Sequence, residues 1–598
     1  MELKNYQNVH QMLKETVDRN THRTAYQWFP EAGRLEGVTW GQLYEQLKQA
    51  AKSLIALGIK KDDKVNILSY TCYPWILCDF ATMSIGGCTV GIYQTLLPKD
   101  IAYIVNHSDA VVLFVEDEIQ LQKVLEIRKQ IPHIRKVILF RGNYTGDEWV
   151  ISFDKFLELG KNLPDGELEQ RAKEVGPYDV AGIVYTSGTT GIPKGAMLTH
   201  DNITFTAQSA RISLDVRENE ETFLFLPLAH VFARICVYAT LLVGAPTAIT
   251  RSMDTIVEDI KITKPHWFAS VPRVYEKVYA KVLGGAEAKG GLALKIFQWA
   301  CKVGDQVSDL KLSKKSIPPL LGIEYALATK LVFSKIQAAL GGRVRWCVSG
   351  AAPLSPQIGK FFHAAGILIV EGIGMTENTS FTNVNRYENY RFGWVGLPGP
   401  GIEQKIGEDG EILYRGRNVM KGYYKMPQET AEVLTADGWL HTGDLGEIDA
   451  ENFLRVTGRK KDLIITSGGK NIAPSAIEGT LATSKYINQA CVIGDRQKYL
   501  TALVTLDADN VKEYARASNI AFDVLEDLMK NPQIQQLIDS VVAEKNKEFA
   551  SYESVKRVTI VPEFTIDNGM LTPTMKVKRN VVAEVYKAKI AEMYPAED

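Results

Sequence analysis

The residues from Tyr185 to His200, YTSGTTGIPKGAMLTH, hold the densest set of phosphate-binding groups in the chain. Thr186, Ser187, Thr189 and Thr190 supply hydroxyls, and Lys194 adds a cation. Gly188 and Gly191 free the backbone to turn and to approach a ligand closely. Hydroxyls, amide N–H groups and an ammonium together make a cradle for phosphate oxygens. The apolar run Val180–Tyr185 reads as a buried strand, so the loop leaves a strand end. It is not a Walker A loop, which needs Gly-Lys-Ser/Thr opening a helix; here Pro193 precedes the lysine and Gly195 follows it.

Five further blocks carry chemistry-bearing residues in chain order. Val348–Ser355, VSGAAPLS, ends a strand in small side chains, which let a flat base lie against the backbone. Glu371–Glu377, EGIGMTE, offers a hydroxyl and a carboxylate, the oxygen donors that a hard cation takes. Gly438–Asp444, GWLHTGD, ends on a carboxylate suited to accepting hydrogen bonds from sugar hydroxyls. Gly458–Ile465, GRKKDLII, concentrates cations, and Ser467–Asn471, SGGKN, is a turn. Leu571–Arg579, LTPTMKVKR, places Lys576 in a loop near the C-terminus. Alone, a RKKD run is usually a solvated face.

The six blocks, in this order, closely resemble the signatures of the adenylate-forming superfamily, which contains acyl-CoA synthetases, luciferases and peptide synthetase adenylation domains. The likeness runs from about Thr39 to Arg579. It implies that Thr186–Gly191 and Lys194 hold the ATP phosphates. Gly350, Ala351, Ala352, Glu371, Gly372 and Ile373 then surround adenine, Ile373 standing where the family usually has an aromatic. Thr376 sits beside the α-phosphate, and Glu377 with Thr186 holds Mg²⁺. Asp444 and Arg459 take the ribose, Lys461 is the hinge between a large and a small domain, and Ser467, Gly468, Gly469 and Lys470 form a loop that enters the site for the CoA step. Lys576 is the catalytic lysine. The general family form has a glycine just before it, where this chain has Met575, as long-chain acyl-CoA synthetases do.

Pro227–Arg234, Ser270–Lys277 and the Leu/Ile/Phe/Ala-rich insert between Val278 and Gly342 also look like segments of long-chain acyl-CoA synthetases. By that likeness His230 borders the carboxylate and the adenylate, while Phe232 and Arg234 lie near the mouth of an acyl tunnel. The implied activity is ATP-dependent activation of a long-chain fatty acid through an acyl-adenylate, then transfer to CoA. Alternatives are delivery to a carrier protein, or medium-chain or branched acids as substrates.

The elements that must position these groups alternate in kind. Val38–Leu57 has Leu43, Leu47, Ala51, Leu54 and Ile55 at helical spacing, closed by Gly58. Buried strands are expected at Val65–Leu68, Ala110–Val115, Lys136–Phe140, Arg343–Val348 and Ile367–Val370, with helices near Ile119–Gln130 and Ser355–Ala365. Such alternation predicts an α/β fold of largely parallel sheets. The rhythm of Gly393–Gly422 predicts a small β subdomain. At 598 residues more than one domain is required. The expected division is a large domain over 1–458, a hinge at 459–461, and a small mobile α+β domain over 462–598.

Lys+Arg of 69 against Asp+Glu of 70 and the lack of a basic run exclude nucleic acid as a partner. Seven scattered cysteines without metal-ligand spacing fit free thiols in a reducing compartment. The N-terminus has no apolar core of signal-peptide type, and the hydrophobic tract Ile235–Ile249 is too short to span a bilayer. The chain is therefore expected in the cytoplasm, with room for peripheral contact at the inner face of a membrane and for a homodimer.

Overall fold

The computed structural model describes residues 3–186, 192–572 and 575–594. Among these residues two large sheets build the N-terminal part. The first has Lys64–Leu68, Cys88–Ile92, Ala110–Val115, Lys136–Leu139, Val150–Ser152 and Val180–Thr186 as its parallel strands. Lys194–Thr199 then runs back antiparallel to Val180–Thr186, with Thr186 opposite Lys194. The two strands that flank the phosphate loop thus form an antiparallel hairpin near one edge of the sheet, and Ser187, Gly188, Thr189, Thr190 and Gly191 lie outside the described residues.

The second sheet is parallel through Thr24–Glu31, Thr247–Ile249, Thr222–Leu224, Trp267–Ser270, Trp346–Ser349 and Leu368–Ile373. Short antiparallel strands flank it. Helices Trp40–Ala56, Tyr73–Ser84, His200–Leu214 and Val231–Val243 share one hydrophobic core with residues of both sheets, among them Ile67, Ala248, Trp346 and Val370. The central parallel strands, such as Cys88–Ile92, Trp267–Ser270 and Trp346–Ser349, are buried on both faces, which is why such strands read as continuous apolar runs.

The first predicted helix begins at Trp40 rather than Val38, because Thr39 caps it: its hydroxyl accepts from the Gln42 amide while the Gln42 side chain returns to the Thr39 amide. The β subdomain is an antiparallel sheet of Ile402–Ile406, Glu411–Gly416, Leu440–Ile448 and Leu454–Arg459, so it reaches further than the predicted Gly393–Gly422. Beyond it, the hairpin Ile464–Ile465/Asn471–Ile472 and the three strands Ile487–Ile493, Leu500–Leu506 and Val555–Ile560 pack with helices into separate cores. All seven cysteines are free thiols. Among the described residues no helix is long and apolar enough to cross a membrane.

Candidate active site

The site is assembled where the C-terminal ends of the second sheet meet the phosphate hairpin. Strand Trp346–Ser349 delivers Gly350, and Ala351 follows with φ of 70°, a left-handed conformation that costs energy for a residue with a Cβ. Strand Leu368–Ile373 delivers Gly372 and Ile373. Gly374 must be glycine, since a Cβ there would meet the Ser380 carbonyl carbon at 2.1 Å. The chain then turns through Thr376–Asn378, with the Met375 amide donating to the Asn378 side chain at 2.7 Å.

Gly350, Ala351, Gly372, Ile373, His230 and Phe232 line one cavity of about 640 Å³ counting its open mouth. Its far wall is apolar: Ala210 and Leu214 from one helix, Ile235, Cys236 and Ala239 from the next, and Trp267 from the sheet floor. On Val231–Val243 the positions 232, 235, 236 and 239 fall on one helical face. Arg234 and Tyr238 fall on another. The expectation that Arg234 lies at the tunnel mouth is therefore corrected. Arg234 is buried in an ion pair with Asp79 at 2.7 Å, Tyr238 donates to the same carboxylate at 2.8 Å, and the guanidinium lies over Trp75. It joins this helix to Tyr73–Ser84.

Of the expected adenine contacts, Ala352 is exposed beside the cavity. Glu371 is buried and accepts from the amides of Leu354 at 3.1 Å and Gly393 at 3.2 Å, so it fixes the loops on either side of the cavity. Burial pushes the Glu371 carboxyl up to about 7, against the pull of those two amides.

His230 caps the helix through Nδ1, which accepts the Phe232 amide at 3.0 Å, leaving Nε2 to carry the proton of the neutral ring. Burial, and behind it the charge of Lys576, lowers its pKa to about 4. Lys576 is itself lowered, first by burial and then by Arg459, and is held up by Asp444, Glu377 and Asp462. The lysine from the C-terminal part thus lies within electrostatic reach of residues of the N-terminal part. Asp444 and Arg459 are register partners on adjacent strands, and Arg459 Nε donates to Asp444 Oδ1 at 2.6 Å. Arg579 pairs with Glu478 and donates to the Val492 carbonyl at 3.3 Å, which anchors the chain just after Lys576. Met575, immediately before, has φ of 62°.

Sequence reasoning missed three groups. Tyr423 lies on a short strand paired with Lys194–Thr199; its ring sits 5.1 Å from Lys194 Nζ and its hydroxyl donates to Glu377 Oε1 at 2.7 Å. Burial first, and then Glu377, raises the phenol pKa, so the hydroxyl keeps its proton. Glu411 accepts from His441 Nδ1 at 2.9 Å, the Gly443 amide at 2.7 Å and Lys460 Nζ at 2.8 Å, tying the GWLHTGD block to the chain before Lys461. Asp462 acts on both Lys576 and Arg459. Tyr423 and Glu411 belong to no local motif, and only strand pairing reveals them.

The structure does not bring Ser467–Lys470 to the cavity. Those residues are exposed, and Lys470 lies over Tyr552 at 5.5 Å. Lys461 is exposed in the turn between Leu454–Arg459 and Ile464–Ile465. Among the described residues no cluster of three or more His, Cys, Asp or Glu side chains could hold a metal unaided. A buried carboxylate beside a phosphate loop still fits Mg²⁺, which keeps most of its waters and takes one or two carboxylates plus substrate phosphates.

The chain matches the AMP-binding enzyme family over residues 13–424 and the AMP-binding enzyme C-terminal domain over residues 461–598. It belongs to that family, and within the adenylate-forming superfamily it is most like the long-chain acyl-CoA synthetases. The long-chain-fatty-acid–CoA ligase FadD15 of Mycobacterium tuberculosis is 37% identical over 564 residues, 94% of this chain and 92% of the relative. The human long-chain-fatty-acid–CoA ligase ACSBG2 is 32% identical over 625 residues, 98% of this chain and 92% of the relative. Among solved structures, the anthranilate CoA ligase AuaEII with anthranoyl-AMP superposes with a TM-score of 0.74 at 21% identity, covering 99% of this chain and 100% of that one. The adenylation domain of carboxylic acid reductase from Segniliparus rugosus, with AMP and a co-purified carboxylic acid, gives 0.76 at 21% identity, covering 99% and 94%. At that identity these two bear on the fold.

Proposed function

We propose that this enzyme is a long-chain fatty acid–CoA ligase that forms an acyl-adenylate, AMP and pyrophosphate being the nucleotide products. The observation that carries the reading is the apolar cavity bounded by Phe232, Ile235, Cys236 and Ala239, opening beside His230 and the Gly350–Ala351 turn. An acyl chain in it sets the carboxylate at His230, next to the groups assigned to ATP.

A carboxylate is a poor acyl donor because its leaving group would be oxide. Attack of one carboxylate oxygen on the α-phosphorus of ATP forms a P–O bond and breaks the bond to pyrophosphate, which leaves with its electron pair. The CoA sulfur then adds to the carbonyl carbon, its proton is lost, and AMP departs. The first step sets an anion against a polyphosphate. Lys194 and Lys576 hold that charge, Thr376 orients the α-phosphate, and Asp444 with Arg459 fixes the ribose. Neutral His230, its proton on Nε2, donates to the substrate carboxylate without adding a second cation beside Lys576. Glu377 and the Thr186 hydroxyl would hold Mg²⁺, which supplies further neutralisation of the phosphates.

The second step needs pyrophosphate gone and a path for the thiol. Rotation of residues 462–598 about the turn 459–461 withdraws Lys576 and presents Ser467–Lys470 in its place. On this reading the enzyme works where ATP and CoA are supplied, in the cytoplasm, and its acyl substrate also partitions into membranes. Incubation with palmitate, ATP, magnesium and CoA should yield AMP and palmitoyl-CoA in equal amounts. Formation of ADP, or AMP without thioester, overturns the reading.

A further inference from the structure

The helical insert presents more apolar surface than its packing uses. Helix Pro319–Ala328 runs through a π-turn, Thr329–Phe333, into Ser334–Ala339. Its inner face is satisfied: Ala328, Phe333 and Ile336 are buried, and the Tyr325 hydroxyl donates to the Ala364 carbonyl at 2.9 Å. Its outer face is also apolar. Leu320, Ile323, Leu327 and Leu331 are 70%, 68%, 48% and 40% exposed, and their spacing puts them on one stripe. Surface helices ordinarily turn a polar face to water, yet Glu324 is the only charged side chain in Pro319–Ala328. A contiguous outward apolar stripe of this kind marks an interaction surface.

The charges around the stripe have one sign. Lys314 and Lys315 precede it, Lys330 and Lys335 follow it, and all four are exposed with no ion pair among the described residues. Lys314 sits in a left-handed turn with φ of 53°. Lys311 packs over Tyr325, and the nearest upstream carboxylate, Asp309, is paired with Lys360. From 311 to 335 the only carboxylate is Glu324, although the whole chain carries a net charge of −1.

We infer that this face docks on an anionic lipid surface. The helix, about 15 Å long at its rise per residue, is too short to span and would lie in the interface plane. Its stripe enters the headgroup boundary, and the flanking lysines reach lipid phosphates with their stems along the apolar surface. A second copy of the chain is the poorer occupant. A two-fold interface would set this face on itself and bring lysine against lysine with only Glu324 to offset them. The advantage to catalysis, collection of a membrane-partitioned acid, rests on the proposed function. The docking does not, and is measured without substrate.

The test is sedimentation of the full chain with vesicles of phosphatidylcholine alone and of phosphatidylcholine with phosphatidylserine. Binding should favour the anionic vesicles at least tenfold and weaken by about fivefold for each lysine removed. A Leu320→Ser/Ile323→Ser/Leu327→Ser variant and a Lys314→Glu/Lys315→Glu/Lys330→Glu variant should both lose it, while melting temperature and AMP formation from octanoate stay at the parent values. Equal binding to neutral vesicles, or variants that bind like the parent, overturns the inference. So does a dimer in light scattering that the serine variant returns to monomer, since the occupant would then be a second copy.

Discussion

Tyr423 donates its hydroxyl to Glu377 at 2.7 Å while its ring lies against the Lys194 ammonium. One side chain thereby joins the phosphate hairpin to the carboxylate assigned to Mg²⁺. Tyr423→Phe keeps the ring and removes the donor. It should cost about 1 kcal/mol of stability, the net worth of one hydrogen bond, and raise the magnesium concentration for half-maximal pyrophosphate exchange. Glu377→Gln should raise it further. An unchanged magnesium requirement in both variants counts against the metal role.

Arg234 and Asp79 form an almost fully buried pair, with Tyr238 closing the triad. Arg234→Ala leaves an uncompensated buried carboxylate, and breaking such pairs costs about 3–5 kcal/mol. Denaturant unfolding should register that loss. Relative rates across fatty acids of different chain length should stay as in the parent for whatever fraction remains folded, because Arg234 does not line the cavity. Phe232→Ala is the contrasting case: modest destabilisation with altered chain-length preference.

These two relationships show how much of the site was legible in the sequence. Loops whose chemistry is local, such as Thr186–Lys194 and Thr442–Asp444, announce themselves through hydroxyls, glycines and charges packed together. So do parallel strands such as Ala110–Val115, whose burial on both faces leaves an unbroken apolar run. Asp79 and Arg234, by contrast, are 155 positions apart, and Glu377 and Tyr423 are 46 apart. Their pairing is set by the packing of helices and by strand register. Arg234 was misplaced because it neighbours Phe232 in sequence, while two steps along a helix turn a side chain to another face.

Met575 is held with φ of 62°, and it is 61% exposed, so packing does not explain its conformation. The conformation aims the next residue, Lys576. Met575→Gly should leave adenylation at or above the parent rate, whereas Met575→Ile, β-branched and unsuited to this region, should lower it at least tenfold. Lys576→Ala should lower it by about 10² to 10³, as for other preorganised charges. Transfer from supplied acyl-adenylate to CoA should change little in all three. Parallel loss in both half-reactions would assign the loop a structural role.

Acid stability has a defined window. Burial lowers His10, His200 and His363 to about 4, with Lys14 and Lys311 adding to the effect on the first and last. Folded imidazoles therefore refuse protons that unfolded ones accept below about 6.5. Stability from these groups is complete above that pH and falls as pH drops toward 4. Glu371, raised to about 7, acts in the opposite sense between about 4.5 and 7, but it is a single group. The melting temperature should decline from pH 6.5 to 4, and His200→Gln, whose amide oxygen can still accept from Val9, should flatten part of that decline.

The last prediction concerns the state in which the two parts of the chain meet. Lys576 lies within electrostatic reach of His230, Asp444 and Glu377, and Ser467–Lys470 is exposed, the arrangement expected of the first half-reaction proposed above. Across the same junction Lys485 pairs with Glu287 and Arg273 donates to Asn488, joining the small part to the helix Pro272–Lys289. If residues 459–461 absorb the rotation, these contacts exist in only one conformer. Glu287→Lys with Arg273→Ala should then lower pyrophosphate exchange severalfold and spare, or speed, single-turnover thioester formation. Lys461→Pro acts through the backbone, since proline fixes φ near −65° and removes the N–H. With Lys576 still at the phosphates, it should keep pyrophosphate exchange within a few-fold of the parent and depress thioester formation at least tenfold. The two variants therefore move the ratio of the half-reactions in opposite directions. Movement in the same direction, or normal rates for Lys461→Pro in both assays, would remove the turn at Lys461 as the pivot.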